Sequence, residues 1–469
     1  MTDSAYTPDE PIAAIATAIA PAALGIIRAS GKNAIELVSR VFSRPQSLLG
    51  AKSGTMHHGW IRGNGGSLID EVMIAVFRAP RGFTGEDAAE IYCHGGLSVV
   101  GSIYRLLLDS GFRAALQGEF TFRAFINGKT DLTRAEAVRE IIDAKTDVSR
   151  GKAAGRLAGA LYDEIAGVKE LLLASLAALE AEIEYPEDEH SLASTFDDSD
   201  LRLAVEKLER LRDSWASEKI YQEGARVVLC GKTNAGKSSL FNALLKEERS
   251  IVSETHGTTR DWIESAASFG GIPVILYDTA GIRESGDAIE KEGVERTKSL
   301  LSQADAVIYV IDAVTGVSEG DTDFLAAYDD QSPLVIAYNK QDIASNVRAP
   351  AAGASADNPA IAQCSAKVLC SAKTGEGISA LVDAVKLALG AVEQPRSEPA
   401  GLGSARQKKA CEEALDSARH AVQAAQEGFT FDAVVADIED ALYFLSEITG
   451  AVTPDDILDT VFSRFCLGK

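Results

Sequence analysis

The stretch Gly231-Lys232-Thr233-Asn234-Ala235-Gly236-Lys237-Ser238 follows the apolar run at residues 225–230 and precedes a helical pattern that begins at Ser239. Its spacing is G-x-x-x-x-G-K-[ST] between a strand and a helix, a setting in which backbone N–H groups curl around phosphate oxygens. Lys237 brings a point charge to the β- and γ-phosphates, and the Ser238 hydroxyl is suited to Mg²⁺. Asn234, Ala235, Gly236 and Ser239 complete the set of contacts expected from this loop.

Downstream, Gly257-Thr258-Thr259-Arg260-Asp261 is followed by Asp278-Thr279-Ala280-Gly281 at the end of an apolar strand at 273–277. Asn339-Lys340-Gln341-Asp342 ends another at 334–338. Asp278 can hold the Mg²⁺ shell and the Gly281 N–H can meet a γ-phosphate. The Asp342 carboxylate can accept from the N1–H and exocyclic amine of guanine, whereas adenine offers the wrong polarity and leaves the charge unpaired. GTP is therefore the expected nucleotide. Ser371-Ala372-Lys373 would back the base with main-chain N–H groups. The tripeptide also occurs at Ser365-Ala366-Lys367, but the later copy follows a short strand at 368–370 and leads through Gly375 and Gly377 into a helix at Ile378.

At 469 residues the length suits about three domains. Lys plus Arg at 46 against Asp plus Glu at 69 gives a net charge of −23, which argues against a purely electrostatic nucleic-acid binder. Any RNA contact has to use a local basic patch or a partner protein. Six scattered cysteines without a C-x-x-C pair suggest neither a disulfide frame nor a zinc knuckle, and fit a reducing cytoplasm. The apolar run at 11–27 is preceded by Asp3, Asp9 and Glu10 and broken by Pro11 and Pro21, so a buried strand and turn is expected there, not a signal or membrane segment.

The fold class expected is multidomain, α/β plus α+β. Residues 1–125 read as an α+β domain, with strand-like 71–77 and helix-like 99–109. Residues 126–222 carry long Ala/Leu/Glu-rich helices, followed by an acidic surface loop around 186–200 within the same block and a further helix at 201–221. Residues 223–390 alternate β and α in the doubly wound manner, with a surface loop at 345–362. Residues 391–469 return to helix, read as one run from 405 to 445. The two helical blocks are expected to pack as one bundle into which the nucleotide domain is inserted.

The position after Asp278-Thr279-Ala280-Gly281, where glutamine-dependent GTPases orient water, is Ile282, which cannot polarise water. Arg283-Glu284 and Glu290 are the nearby polar candidates. Phosphoryl transfer needs positive charge between the β- and γ-phosphates, and without an evident arginine finger a metal cation can supply it. Asn234 offers an amide oxygen suited to a large monovalent cation.

Residues 231–240 together with 257–261 look like the TrmE-Era-Era-like branch of GTPases, whose nucleotide domain is Ras-like. Segments outside that domain resemble the tRNA-modification GTPase family MnmE (TrmE): Phe83-Thr84-Gly85-Glu86-Asp87, Cys93-His94-Gly95-Gly96, Gly118-Glu119-Phe120-Thr121, residues 123–129, Ala135-Glu136-Ala137 and the terminal Phe465-Cys466-Leu467-Gly468-Lys469. The resemblance implies a homodimeric, K⁺-activated GTPase with an amino-terminal folate-binding domain. With an FAD-dependent partner (MnmG, or GidA), such a protein places a carboxymethylaminomethyl or aminomethyl group on carbon 5 of the wobble uridine of certain tRNAs, using 5-formyl-tetrahydrofolate or a relative. It further implies K⁺ ligation by Asn234, Ser253, Thr255 and Thr258, Mg²⁺ ligation by Ser238 and Thr259, and orientation of the attacking water by Glu290. Folate contacts fall on Arg28, Glu90, Lys129 and Lys469, with Cys466 beside them as a candidate for chemistry. One segment departs from the family pattern: Ala18-Ile19-Ala20-Pro21-Ala22-Ala23-Leu24-Gly25 lacks the arginine and three glycines of the usual loop and cannot take the same backbone path. The alternative reading is a GTP-dependent RNA-binding switch of the Era or Der type. It would require a KH module with G-x-x-G or a second phosphate loop, and residues 401–469 carry neither.

Overall fold

The computed structural model describes residues 10–184, 197–247, 263–279, 299–328, 332–344, 364–390, 401–427, 429–453, 455–466 and 468. They divide into two compact units. One is Met1–Arg139, Arg156–Leu208 and Lys409–Lys469; the other is Glu140–Gly155 with Glu209–Lys408.

The first unit opens with β1 (Ile12–Ile15), β2 (Ala22–Ser30), α1 (Ala34–Val41), α2 (Pro45–Leu49), β3 (Thr55–Arg62), β4 (Leu68–Phe77), β5 (Ala88–Gly95), α3 (Leu97–Asp109), β6 (Arg113–Ala114) and α4 (Glu119–Ile126). The strands form one sheet in the order β3-β4-β5-β2-β1-β6, antiparallel except for the β1–β6 pair. The apolar run at 11–27 thus becomes a strand, a turn and the start of β2, and no described helix is long and apolar enough to cross a membrane. Period-two alternation sets the faces of the sheet. In β5, Ala89, Ile91 and Cys93 are buried in the core with Ile27 and Ala29 of β2, which turns Glu90 and Arg28 to the other face, directly opposite each other in register. Close backbone approach fixes Gly95, whose Cβ would strike the Ala22 carbonyl.

A buried ion network ties α4 to this sheet. Arg123, 1% exposed, donates to Glu86 at 3.1 Å, to the fully buried Glu119 at 3.0 Å and to the Glu10 carbonyl at 2.8 Å. Arg113 also reaches Glu119, at 2.6 Å. Helices α5 (Leu132–Asp143), α6 (Asp147–Ala158), α7 (Ala160–Glu184) and α8 (Ser199–Glu223) follow.

The second unit holds β7 (Ala225–Gly231), α9 (Lys237–Glu247), β8 (Ile263–Phe269), β9 (Ile272–Asp278), β10 (Ala306–Asp312), α10 (Glu319–Ala327), β11 (Leu334–Asn339), β12 (Ala366–Leu369) and α11 (Ile378–Ala388). Their sheet runs β12-β11-β10-β7-β9-β8, parallel but for the β8–β9 hairpin. The central strands are apolar almost throughout, as strands covered on both faces must be. Gly270 and Gly271, at φ 56° and 93°, make the two-residue turn whose positive dihedrals match the twist of the hairpin. Strand β7 lies between β9 and β10, so the order reverses there, and the crevice for a ligand opens at its carboxyl end.

The chain closes with α12 (Ala405–Glu427), α13 (Phe431–Thr449) and α14 (Asp455–Phe462). The single helix expected over 405–445 is two. Thr430 is extended at φ −67°, ψ 149° as the N-cap of α13, and the Phe429 N–H returns to the Ala424 carbonyl, so the first helix has ended before the second starts. Within the first unit α7 packs along α13, with Lys169 Nζ donating to Ser446 Oγ at 2.9 Å. The expected loops at 186–200 and 345–362 lie largely outside the described residues. In chain order, an α+β domain is followed by helical segments that flank an inserted doubly wound domain.

Candidate functional site

At the carboxyl end of β7 the phosphate loop is shaped by three left-handed residues: Gly231 at φ 139°, Asn234 at 67° and Gly236 at 91°. A Cβ on Gly231 would strike the Val310 carbonyl, and one on Gly236 would strike Asn339 Nδ2. Asn234 is one of three non-glycine residues with positive φ among the described residues, and asparagine tolerates that region better than most. Its side chain is exposed. Lys237 is buried at the start of α9 and its ammonium donates to the Lys232 carbonyl at 2.8 Å, closing the loop on itself. Ser238 Oγ donates to Asp278 Oδ2 at 2.8 Å, so the two hard oxygen donors expected around Mg²⁺ converge from α9 and the end of β9. Thr279 spends its hydroxyl on the Leu229 carbonyl at 2.9 Å, and Ser239 is exposed on α9.

Asn339 joins this loop to the base side of the crevice. Its Nδ2 donates to the Ala235 carbonyl at 3.0 Å and the Gly236 carbonyl at 3.4 Å, while its Oδ1 accepts from the Ala372 N–H at 3.0 Å. Lys340, at φ 69°, extends to the Asn234 carbonyl at 2.7 Å and to Asp312 Oδ2 at 2.8 Å. Asp342 is exposed, and its Oδ1 accepts from the buried Ser371 hydroxyl at 2.8 Å. Of the two Ser-Ala-Lys copies, the first contributes Ala366 and Lys367 to β12, whereas Ser371 and Ala372 of the second face Asp342 and Asn339 and Lys373 is exposed.

Sequence reading missed two residues here. Asp312 ends β10 beside β11; burial opposes its charged form, but the Lys340 ammonium and the Val314 and Thr315 N–H groups outweigh that and hold the carboxyl below its usual range. Lys232 reaches Ser318 Oγ at 2.5 Å, at the capping box that starts α10. The sequence signal for Asp312 was a carboxylate closing an apolar strand, the same signal that singled out Asp278. Ser253, Thr255, Thr258, Thr259, Ala280, Gly281 and Glu290 lie outside the described residues.

In the amino-terminal sheet, Arg28 Nε donates to Glu90 Oε1 at 2.8 Å and Tyr92 OH donates to Glu90 Oε2 at 2.7 Å. That hydrogen bond, with burial, holds the Tyr92 phenol above its usual range. One loop gathers the cations: the Arg28 guanidinium lies 5.9 Å from the Phe83 ring centroid, and Lys129 Nζ donates to the Pro80 carbonyl at 3.1 Å with its stem against Gly85. The Gly468 carbonyl accepts from Arg28 Nη1 at 3.4 Å, which brings the carboxyl terminus to the same sheet; Cys466 is exposed two residues earlier, and Lys469 is outside the described residues. Residues 18–24, within the segment that departs from the family pattern, are all exposed, with Ile19 73% and Leu24 60% exposed. No cluster of metal-ligating side chains other than these expected oxygen donors is found among the described residues.

Residues 132–466 match the family model of the MnmE helical domain, and residues 11–129 match that of the GTP-binding protein TrmE N-terminus. The chain is 49% identical over 472 residues to the tRNA modification GTPase MnmE of Treponema denticola, with 99% of each chain covered. It is 44% identical over 494 residues to that of Treponema pallidum, again with 99% of each chain covered. To that of Carboxydothermus hydrogenoformans it is 40% identical over 475 residues, covering 98% of this chain and 100% of the relative. With family models matching on both sides of residue 130 and relatives aligned end to end, the chain belongs to the MnmE family of tRNA modification GTPases.

Proposed function

We propose that this chain is a K⁺-activated, Mg²⁺-dependent GTPase that works as a cytoplasmic homodimer with an FAD-dependent MnmG-type partner. In this reading it serves the modification of carbon 5 of the wobble uridine of certain tRNAs with a one-carbon unit from 5-formyl-tetrahydrofolate or a relative. The observation that carries the GTPase part is the convergence of Ser238, Asp278 and the Asn339 staple on the carboxyl end of β7.

The chain's own residues divide the work. The loop from Gly231 to Gly236 presents backbone N–H groups to phosphate oxygens, and the Lys237 ammonium exchanges the Lys232 carbonyl for a phosphate oxygen. Ser238 and Asp278 are the residues that would hold Mg²⁺, which when bound neutralises charge on the β- and γ-phosphates. Asp342, oriented by Ser371, accepts from guanine. Asn234 would offer its exposed amide to K⁺, with Ser253, Thr255 and Thr258 as further ligands, Thr259 joining Ser238 on Mg²⁺ and Glu290 orienting water. Ala280, Gly281, Lys373 and Ser239 line the remaining nucleotide contacts. In the amino-terminal domain the Arg28–Glu90–Tyr92 chain supplies one cation and one doubly hydrogen-bonded carboxylate, a donor set that suits the pterin and carboxylate groups of a folate, with Lys129 and Lys469 adding charge. Cys466 stands beside them.

The experiment is steady-state GTP hydrolysis in KCl against equal NaCl, with Asn234→Gly and Asn234→Ala. Glycine accepts the φ of 67° without strain and removes only the amide, whereas alanine also strains the loop. The expectation is a rate at least about tenfold higher in K⁺, lost in both variants. If Asn234→Gly keeps the K⁺ response, the amide is not a ligand and its residue type is explained by backbone conformation alone.

A further inference from the structure

Residues 40–69 contain Arg40, Arg44, Lys52 and Arg62 and not one Asp or Glu, in a chain whose acids outnumber its bases by 69 to 46. The fold adds Arg81 to this segment. Ser53 Oγ donates to the Arg81 carbonyl at 3.4 Å and accepts from the Arg78 N–H at 3.0 Å, which sets the loop of Lys52 against the loop after β4. Arg78 in turn holds the last carbonyls of α2, donating to Leu49 O at 2.8 Å and Leu48 O at 3.3 Å. On the other side of α2, Phe42 bridges to Ile61, and the Ser43 N–H donates to the Trp60 carbonyl at 2.8 Å. This places Arg40 and Arg44 beside the end of β3, where Arg62 sits. All five cations Arg40, Arg44, Lys52, Arg62 and Arg81 are exposed, and among the described residues none of them has a carboxylate partner. The acids nearest these cations are engaged elsewhere: Glu36 and Asp87 lie 3.8 and 3.1 Å from Arg78, Glu86 accepts from Arg123, and Asp70 and Glu71 beyond Arg62 pair with His94 and His58.

Such charge is anomalous on an acidic protein. A solvated face would carry both signs interspersed, and a protein of net charge −23 approaching a polyanion is repelled everywhere except where cations are segregated and acids withheld. We infer that the corner built from α1, α2, the end of β3 and the loop after β4 is the face that docks the phosphate backbone of an RNA, which, on the tRNA-modification reading above, is the tRNA itself.

Five phosphate contacts give a salt slope of about −3.5 in log K against log salt, a weakening of roughly 100-fold between 50 and 200 mM. The probe is an unmodified tRNA transcript bound to the full-length chain, titrated across that range of potassium salt, with the triple variant Arg44→Ala, Lys52→Ala, Arg81→Ala. The assignment expects at least tenfold weaker binding at 50 mM and a slope shallower by about 2, with GTP hydrolysis in K⁺ unchanged. The triple variant Arg44→Lys, Lys52→Arg, Arg81→Lys should retain both affinity and slope. Unchanged affinity, or weaker binding with an unchanged slope, overturns the assignment. So does intact tRNA binding with loss of association to an acidic protein partner, which would make the corner a protein-docking face. Wild-type binding that the alanines leave untouched removes the patch while the tRNA reading stands; a wild-type chain that binds no tRNA at 50 mM removes both.

Discussion

Replacing Asn339 by alanine tests whether one amide really holds the two halves of the nucleotide crevice together. Asn339 is 2% exposed and carries three hydrogen bonds, two to phosphate-loop carbonyls and one from the Ala372 N–H. Its removal leaves the Ala235 carbonyl and the Ala372 N–H without this partner, and each such group costs about 1–3 kcal/mol. The free chain can relax around the gap, but a bound nucleotide needs both loops in place, so most of the cost should appear as lost affinity. A loss of about 2–4 kcal/mol corresponds to roughly 30- to 1,000-fold in the dissociation constant. The assay is equilibrium titration with a fluorescent GDP analogue, alongside Asn339→Asp. Aspartate keeps the acceptor for Ala372 but turns a carboxylate oxygen toward the Ala235 carbonyl, so it should bind no better than alanine. A change below about threefold in either variant would refute the idea that this side chain couples the loops.

Arg123→Met should lower stability by about 3 kcal/mol, because Glu86 loses its cation in a partly buried site while Glu119 keeps Arg113. The first transition in urea unfolding measures it, and a variant within about 1 kcal/mol of wild type would show that the network is only spatial filling. Burial pushes the Cys230 thiol up to about 12, with Lys237 pulling the other way. A raised folded value means that the neutral thiol's stabilisation is fully present below the unfolded value of about 9 and is lost as pH rises toward 12. Cys230→Ala should therefore flatten the alkaline limb of stability against pH, and an unchanged limb would remove Cys230 as its cause.

What was legible in the sequence followed from local rules. The phosphate loop announced itself because glycine, lysine and serine must stand at fixed offsets after a strand, and Asp278 and Asn339 because polar residues closing apolar runs fall at the carboxyl edge of a parallel sheet. Boundaries and breaks were less legible. The interruption between α12 and α13 is set by the extended Thr430, within a pattern whose residues on both sides favour helix, and β8 carried too little alternation to be read as the antiparallel partner of β9.

The sequence alone determined the doubly wound class of the inserted domain and the identity of the nucleotide-binding loop, because these depend on periodicity and on residue types at short, fixed spacings. Tertiary structure alone decided that Arg28 pairs with Glu90 across 62 positions, that Asn339 bridges Ala235 and Ala372, and that Arg81 joins a basic corner begun about forty residues earlier at Arg40. The physical reason is that each depends on contacts between residues far apart in the chain. Arg28 and Asn339 depend on strand register, where a one-residue slip, invisible in the sequence, would turn the side chain to the other face, and Arg81 depends on a loop closed by the distant Ser53 hydroxyl.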